Sequence, residues 1–184
     1  TELTNIVWIW QRVAEHFAAF DVDVTTELSD EELLTRTDLA DEFYGVRVLI
    51  SPLSPILGAY GGLAYVGVFN EIGNYHKPAI VMPEKLSKNE KNIGNAIAHE
   101  VGHTIGLSHD GTTSGAAYYQ GHGSGETSWA PIMGIGYYKN LIQWSRGEYP
   151  LANNQEDDLA IIQTFGLMPR EDDHGGTFDT ATYL

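Results

Sequence analysis

The sequence contains no cysteine, few basic residues and no long apolar run. Without cysteine the chain has no disulfides, no thiolate nucleophile and no cysteine-based zinc or iron–sulfur site. Any metal site must therefore use histidine, aspartate or glutamate. The lack of cysteine does not identify the compartment, because a chain without thiols is stable in either redox environment.

Basic residues are scarce: 10 lysines and arginines face 25 aspartates and glutamates, which gives a formal net charge of −15. The phosphate backbone of nucleic acids attracts clustered cations, so we expect no nucleic-acid partner. No apolar run reaches the roughly eighteen residues of a membrane span. Residues 1–20 also lack the basic and then apolar order of a signal peptide, so any leader is absent from this chain.

The composition that is present is typical of one globular domain, with 184 residues of which 42% are hydrophobic. Apolar spacing predicts long helices over 3–19 and 87–106, with Ser87 and Glu90 as a capping box for the second. A short helical or loop segment is predicted at 28–36 and a C-terminal helix at 153–166. Strands are predicted at 21–27, 44–51, 61–69 and 77–83.

The stretch AIAHEVGHTIGLSHDG, residues 96–111, holds three of the 7 histidines in the chain. His99 and His103 are four residues apart, so on a helix both imidazoles lie on one face and can reach one ion. Glu100 lies one position round the helix, where it can contact a water on that ion but is badly aimed to replace a ligand. The spacing therefore predicts a metal site with an acidic group beside it.

Gly106 stands where a third ligand on the same helix would be expected. Because glycine can break the helix, the chain can turn back and supply His109 from another side. Three neutral histidines around one Zn²⁺ leave the fourth position for water, as in catalytic zinc sites. Glu100 can then take the proton of that water and pass it to a leaving amine, so the pattern predicts amide hydrolysis.

Two alternatives to this catalytic site remain. The helix could face solvent with its histidines as ordinary polar residues, or a fourth protein ligand could complete a structural zinc site that performs no chemistry.

Asp157 and Asp158 are expected in the first turn of the last helix, where carboxylates suit the helix dipole. Calcium binding there, or at Asp172 and Asp173, is the alternative for these residues.

The segment HEVGHTIGLSHD resembles the metzincin zinc endopeptidases, and the residue after its third histidine is similar to that of the adamalysin or reprolysin branch, here of a bacterial secreted type. The resemblance implies that His99, His103 and His109 bind one catalytic zinc. It also implies that Glu100 is the general base, that Asp110 supports the site from below, and that Met133 in SWAPIMGIG forms a Met-turn beneath the metal.

The stretch GGLAYVGVF, residues 61–69, is similar to the antiparallel edge strand with which this family pairs an extended substrate. Leu63, Ala64 and Tyr65 would then offer backbone groups to a peptide, with an ordinary edge strand as the alternative. His122 could line the primed side of the cleft, although a loop histidine is often merely exposed.

The resemblance implies an α/β (α+β), metzincin-like fold. It has a twisted mixed sheet with one antiparallel edge strand, two long helices, and a small C-terminal subdomain with the Met-turn and a C-terminal helix. The catalytic domain is expected over 1–168, divided into an upper subdomain at about 1–106 and a lower one at 107–168. Residues 169–184 are expected to form a polar tail or linker.

The sequence departs from the family pattern in two places. Family members normally begin with a β-strand before the first long helix, whereas this sequence opens almost at the helix, which leaves the completeness of the sheet open. Some branches carry a tyrosine two residues after the methionine of the Met-turn, a position held here by Ile135. Tyr137 and Tyr138 follow, and neither is assigned a catalytic role.

The resemblance implies a secreted, monomeric zinc-dependent endopeptidase that acts on extended protein or peptide substrates. Two alternatives would use the same ion. One is an inactive zinc-containing module that holds a peptide without cutting it, and the other is a hydrolase of a non-peptide amide such as a cell-wall crosslink.

Overall fold

The computed structural model describes residues 1–27, 30–52, 58–171, 177 and 179. In chain order its helices are α1 (Glu2–His16), α2 (Glu31–Leu34), α3 (Glu90–Thr104) and α4 (Asp158–Thr164). Its strands are β1 (Val48–Ile50), β2 (Gly62–Leu63), β3 (Ala79–Val81), β4 (Trp129–Pro131) and β5 (Leu141–Gln143). Short 3₁₀ turns occupy Pro83–Leu86 and Gly125–Thr127.

The two long helices form the centre of the fold, and α1 packs against α3. Helix α1 begins behind Thr1, whose side chain accepts a hydrogen bond from the Thr4 amide, and it buries Ile9 and Val13. Helix α3 is buried along most of its length. Its N-cap is Asn89, which accepts a bond from the Asn92 amide at 3.2 Å. The predicted capping box at Ser87 is therefore wrong, while both long helices are confirmed.

The main sheet has the order β1, β3, β2, with β1 parallel and β2 antiparallel to the central strand. Central β3 buries Ala79 and Val81, as expected of a short apolar strand with neighbours on both sides. This arrangement confirms the α/β fold class with a mixed sheet and one antiparallel edge strand.

The predicted strand at 21–27 is not formed, since these residues join no β-ladder. Val22 and Val24 still pack against the core. The alternating apolar residues therefore indicate a segment with one buried side, but this segment does not pair as a strand. A strand requires a partner backbone, and among the described residues the isolated bridge next to this segment joins Phe20 to Pro169.

The other predicted strands and the C-terminal helix are shorter than expected, as in the strand predicted at 44–51, which spans only Val48–Ile50. The strand predicted at 61–69 ends at Leu63 because the amides of Gly67 and Phe69 donate instead to the carbonyls of His103 and Thr104, at 2.9 Å each. The C-terminal helix starts at Asp158 rather than 153, because the side chain of Asp157 caps it.

The lower part of the molecule contains the parallel pair β4 and β5 and helix α4. Its interior continues the core of the upper part through Ala130, Met133, Ile142 and Ile162. Residues of the predicted tail also contact the upper part, since the Arg170 amide donates to the Ala19 carbonyl at 2.9 Å. Within the described residues, no helix has the length and apolar character needed to cross a bilayer.

Candidate metal centre

Three histidines converge at the C-terminal end of α3. His99 and His103 project from the helix and His109 approaches from the following loop, with the candidate ligand nitrogens within 4.8 Å of one another. Nε2 of His103 and Nε2 of His109 are 2.9 Å apart. Among the residues that the structure describes, these three form the only group of three or more side chains able to hold a metal ion.

Gly106 ends α3 and directs the chain toward His109. Its φ of +87° lies in the left-handed region. The Gly106 amide donates to the His103 carbonyl at 2.9 Å and the Leu107 amide to the Gly102 carbonyl at 3.0 Å, which is the Schellman arrangement of a helix end. A Cβ at position 106 would stand 2.6 Å from a ring carbon of Phe165, so the site also requires a residue without a side chain.

Two backbone carbonyls orient the helical histidines. His99 Nδ1 lies 2.9 Å from the Ile132 carbonyl oxygen, and His103 Nδ1 lies 2.9 Å from that of Leu107. A carbonyl only accepts, so each Nδ1 carries the proton and each Nε2 presents its lone pair to the site. Burial lowers the pKa of all three histidines, and with the neighbouring His103 it brings the pKa of His99 to about 3.

The donor set fits zinc. Three neutral imidazole nitrogens, with no thiolate in the chain, are the ligands of catalytic zinc sites that keep one position open for water. The tautomers fixed by the Ile132 and Leu107 carbonyls are the ones that metal binding needs. The residues His99, His103 and His109 could therefore hold one Zn²⁺ while His99 and His103 keep their Nδ1 bonds, and the ion would replace the contact between the two Nε2 atoms of His103 and His109.

Glu100 lies beside His99 on α3 and is only 7% exposed. Burial raises the pKa of its carboxyl to about 7. A Cβ at position 62 would overlap the Glu100 carboxyl group, so the backbone of β2 abuts it directly at Gly62. A carboxylate of this pKa is suited to accept a proton near neutral pH.

Asp110 and Met133, which the family resemblance places below the site, are both buried. The Asp110 carboxylate accepts bonds from Ser145 Oγ at 2.8 Å and from the Tyr149 hydroxyl at 3.3 Å, while its amide donates to the Met133 carbonyl at 2.9 Å. The Met133 sulfur lies under α3, 2.5 Å from where a Cβ on Gly102 would stand. The role of both side chains as support beneath the histidines stays a prediction.

The predicted substrate-binding residues lie on and after the edge strand. Leu63 pairs with Ile80 in the sheet, and the opposite side of β2 has no strand partner in the described sheet. Ala64 follows outside the strand, and Tyr65 is exposed with its ring 3.9 Å from that of His76. The substrate role of these residues stays a prediction.

His122 contacts Tyr119 and Trp129 in the loop after the histidine motif. Its backbone bridges Trp129, its Nδ1 lies 2.9 Å from the Tyr119 hydroxyl, and its ring contacts are with these same two residues. Its binding role also stays a prediction.

The alternative of calcium at the last helix has no support in the geometry. Asp157 caps α4, and Asp158 is buried with one oxygen bonded to the Ser145 amide at 2.8 Å. Neither belongs to a group of three candidate ligands among the described residues. Asp172 and Asp173 lie outside the described residues.

Sequence reasoning missed three contributors to the site. Two are the Ile132 and Leu107 carbonyls, which carry no signature because every residue has a carbonyl. The third is Tyr118, whose ring centroid is 4.5 Å from that of His109. The irregular, tyrosine-containing stretch at 110–140 indicates a functional loop, but nothing in it distinguishes Tyr118 from its neighbours.

The comparison with protein families gives one result. The family model described as Metallo-peptidase family M12B Reprolysin-like matches residues 15–110, which is just over half of the chain. The match ends at Asp110, directly after the third histidine, and so contains all three candidate ligands and Glu100. A search of curated proteins finds no match.

Proposed function

Because the chain belongs to the M12B reprolysin-like metallopeptidase family, we propose that it is a zinc-dependent endopeptidase that uses Glu100 as general base on extended protein substrates. The observation that carries this proposal is the convergence of three imidazoles beside a buried carboxylate. Zinc held there would polarise the scissile carbonyl and lower the pKa of water.

The chain's own residues account for the proton transfers. Glu100 takes a proton from the attacking water and then passes it to the nitrogen of the leaving amine. Its pKa of about 7 suits both steps, because the carboxyl group can accept and release a proton near neutral pH. His99 and His103 stay oriented throughout, since the Ile132 and Leu107 carbonyls hold their Nδ1 protons.

Family membership implies protein or peptide substrates. An extended peptide can add to the open side of β2, where Leu63, Ala64 and Tyr65 offer backbone groups beside Glu100. In this proposal the scissile bond would lie near the general base, because Glu100 abuts the same strand at Gly62. Secretion, expected from the family resemblance, belongs to the same proposal.

The test is Glu100→Ala in the zinc-loaded protein, assayed on casein and on a peptide library. We expect cleavage to fall by about 10²–10⁴-fold, the usual contribution of a general base, with zinc stoichiometry unchanged because the three histidines remain. Glu84→Ala is the matched control, because Glu84 is an exposed glutamate outside the site. This control should cleave as the wild type does, and 1,10-phenanthroline should abolish its activity reversibly.

Undiminished cleavage by Glu100→Ala would refute the mechanism. Wild-type protein that binds zinc but cleaves no peptide would contradict the endopeptidase assignment. A turbidity assay on bacterial cell walls would then separate hydrolysis of a non-peptide amide from an inactive peptide-binding module.

A further inference from the structure

Tyr118 faces the metal centre from a loop that lies outside the histidine motif. Its ring centroid is 4.5 Å from that of His109 and 6.1 Å from that of His99. It is partly buried, whereas neighbouring positions 113–117 are exposed. Tyr118 therefore forms part of the wall around the ligands.

The loop that carries Tyr118 is fixed on both sides. The Tyr119 amide donates to the Asp110 carbonyl at 2.6 Å, and the Tyr119 carbonyl accepts from the Ile135 amide at 2.9 Å. Before it, the Thr112 amide donates to the Ala116 carbonyl at 2.8 Å. These bonds hold Tyr118 between the segment that supplies His109 and the Met-turn.

Glu100 and Tyr60 also interact electrostatically with the Tyr118 hydroxyl. Burial, and then the charge of Glu100 and the presence of Tyr60, raise the pKa of Tyr118 above its ordinary value. A tyrosine keeps its proton at neutral pH even at the ordinary value of about 10. Tyr118 therefore carries an O–H donor on a ring that packs against His109.

We infer that Tyr118 donates a hydrogen bond to the oxygen of the scissile carbonyl as negative charge develops on it, an inference that rests on the proposed peptidase function. Attack forms a bond from the water oxygen to the carbonyl carbon, moves the π pair onto the carbonyl oxygen and transfers a water proton to Glu100. Tyr118 keeps its own proton in this step. When the C–N bond breaks, Glu100 returns the proton to the amine nitrogen, so the side chains end unchanged.

Tyr137 is the rival donor, since it also lies near Glu100. Its ring, however, packs against the hydrophobic core, and its hydroxyl lies beside Gly61, 3.6 Å from where a Cβ there would stand. The described ring contacts of the three histidines include Tyr118 and do not include Tyr137. Tyr118 is therefore better placed to reach an oxygen at the metal.

The experiment compares Tyr118→Phe with Tyr137→Phe and with Tyr138→Phe, which alters an 89% exposed tyrosine outside the site. We expect Tyr118→Phe to lower kcat on a peptide substrate by about 10²-fold with KM changed less than about twofold, because one transition-state donor is lost. Affinity for a phosphinic pseudopeptide, which imitates the tetrahedral state, should fall by a similar factor. Zinc affinity, measured by competition with a chelator, should not change. Tyr138→Phe should behave as the wild type.

The outcomes separate this inference from the proposal on which it rests. If the wild type is active and the kcat of Tyr118→Phe lies within about twofold of the wild-type kcat, the role of Tyr118 is overturned but the proposed function is not. A larger loss in Tyr137→Phe, or a fall in zinc affinity that parallels the loss of kcat, would overturn it as well. Wild-type protein that binds zinc but cleaves no peptide would overturn the proposed function and this inference together.

Discussion

Asp158 is wholly buried, and only one of its two carboxyl oxygens has a hydrogen-bond partner. Burial raises the pKa of this carboxyl to about 7, and the nearby charge of Asp110 adds to the effect. The protonated form is therefore the one that the folded protein prefers up to neutral pH. Ser145 joins the two aspartates, with its amide bonded to Asp158 and its hydroxyl to Asp110.

This environment gives a pH dependence of stability with a definite sign. The pKa in the folded state, about 7, lies above the unfolded value of about 4, so the contribution of Asp158 is full below about pH 4 and is lost as the pH rises through 7. We expect Asp158→Asn to become more stable relative to wild type across that range, by on the order of 4 kcal/mol at most. Urea denaturation of both proteins at several pH values measures this difference.

The comparison uses the difference between the two proteins, so effects common to both, such as loss of metal in acid, cancel. Asp157→Asn is a suitable control, because this residue caps α4 from an exposed position. A difference between wild type and Asp158→Asn that stays constant from pH 4 to pH 8 would contradict the assignment.

Individual site residues differ in how far the sequence reveals them. The placement of His99, Glu100 and His103 can be predicted from the sequence, because helical periodicity alone brings them together. Gly106 makes the approach of His109 predictable as well. The position of Tyr118 cannot be predicted from the sequence, because it depends on the hydrogen bonds that join its loop to Asp110 and Ile135. Asp158 could be placed at a helix start, but its burial follows from packing that no local pattern encodes.

The C-terminal end of α3 depends on Gly106 in two separate ways. A side chain there would be strained by the φ of +87° and would overlap Phe165. We expect Gly106→Ala to lose about 1–2 kcal/mol from the backbone strain and about 1–3 kcal/mol more from overpacking. Zinc affinity should fall too, since the loop carrying His109 would shift. Urea denaturation and chelator competition measure the two effects.

Gly73→Ala is the matched control for this prediction. Its φ is +88°, almost the same, but a Cβ there would meet nothing within 4 Å. It should show the loss due to backbone strain alone and retain normal zinc affinity. Equal stability losses in the two variants would show that the Phe165 contact is unimportant.

The strands show where sequence patterns fail for whole elements. The apolar run at 77–83 correctly predicts β3, because a strand with partners on both sides is hydrophobic whatever its exact pairing. The alternation at 21–27 is just as regular but has no backbone to pair with. At 61–69, the amides of Gly67 and Phe69 donate hydrogen bonds to the end of α3. Tertiary contacts, which the local sequence pattern does not encode, determine these bonds. Pairing partners, rather than composition, decide these cases.

The net charge of −15 gives the molecule a negative field at a distance. For two peptides with the same cleavage site, one flanked by lysines and one by glutamates, we expect kcat/KM to favour the cationic peptide by about 10-fold at low salt. The ratio should approach one at 0.5 M salt, where the Debye length is only about 4 Å. Steady-state kinetics at three salt concentrations test this, and a ratio unaffected by salt would show that local contacts dominate.

The contact between Gly62 and Glu100 joins the two parts of the machinery that act on the peptide backbone. The strand that would align the substrate touches the carboxylate that would deprotonate water. The upper part of the molecule would therefore set which peptide bond along the bound strand is cleaved. In the loop that follows the histidine motif, residues 113–117 are exposed, whereas Tyr118 is held by the bonds of Tyr119 to Asp110 and Ile135. Relatives could therefore vary the exposed part of this loop and gain new side-chain preferences, while the proposed cleavage position along the bound strand would stay the same.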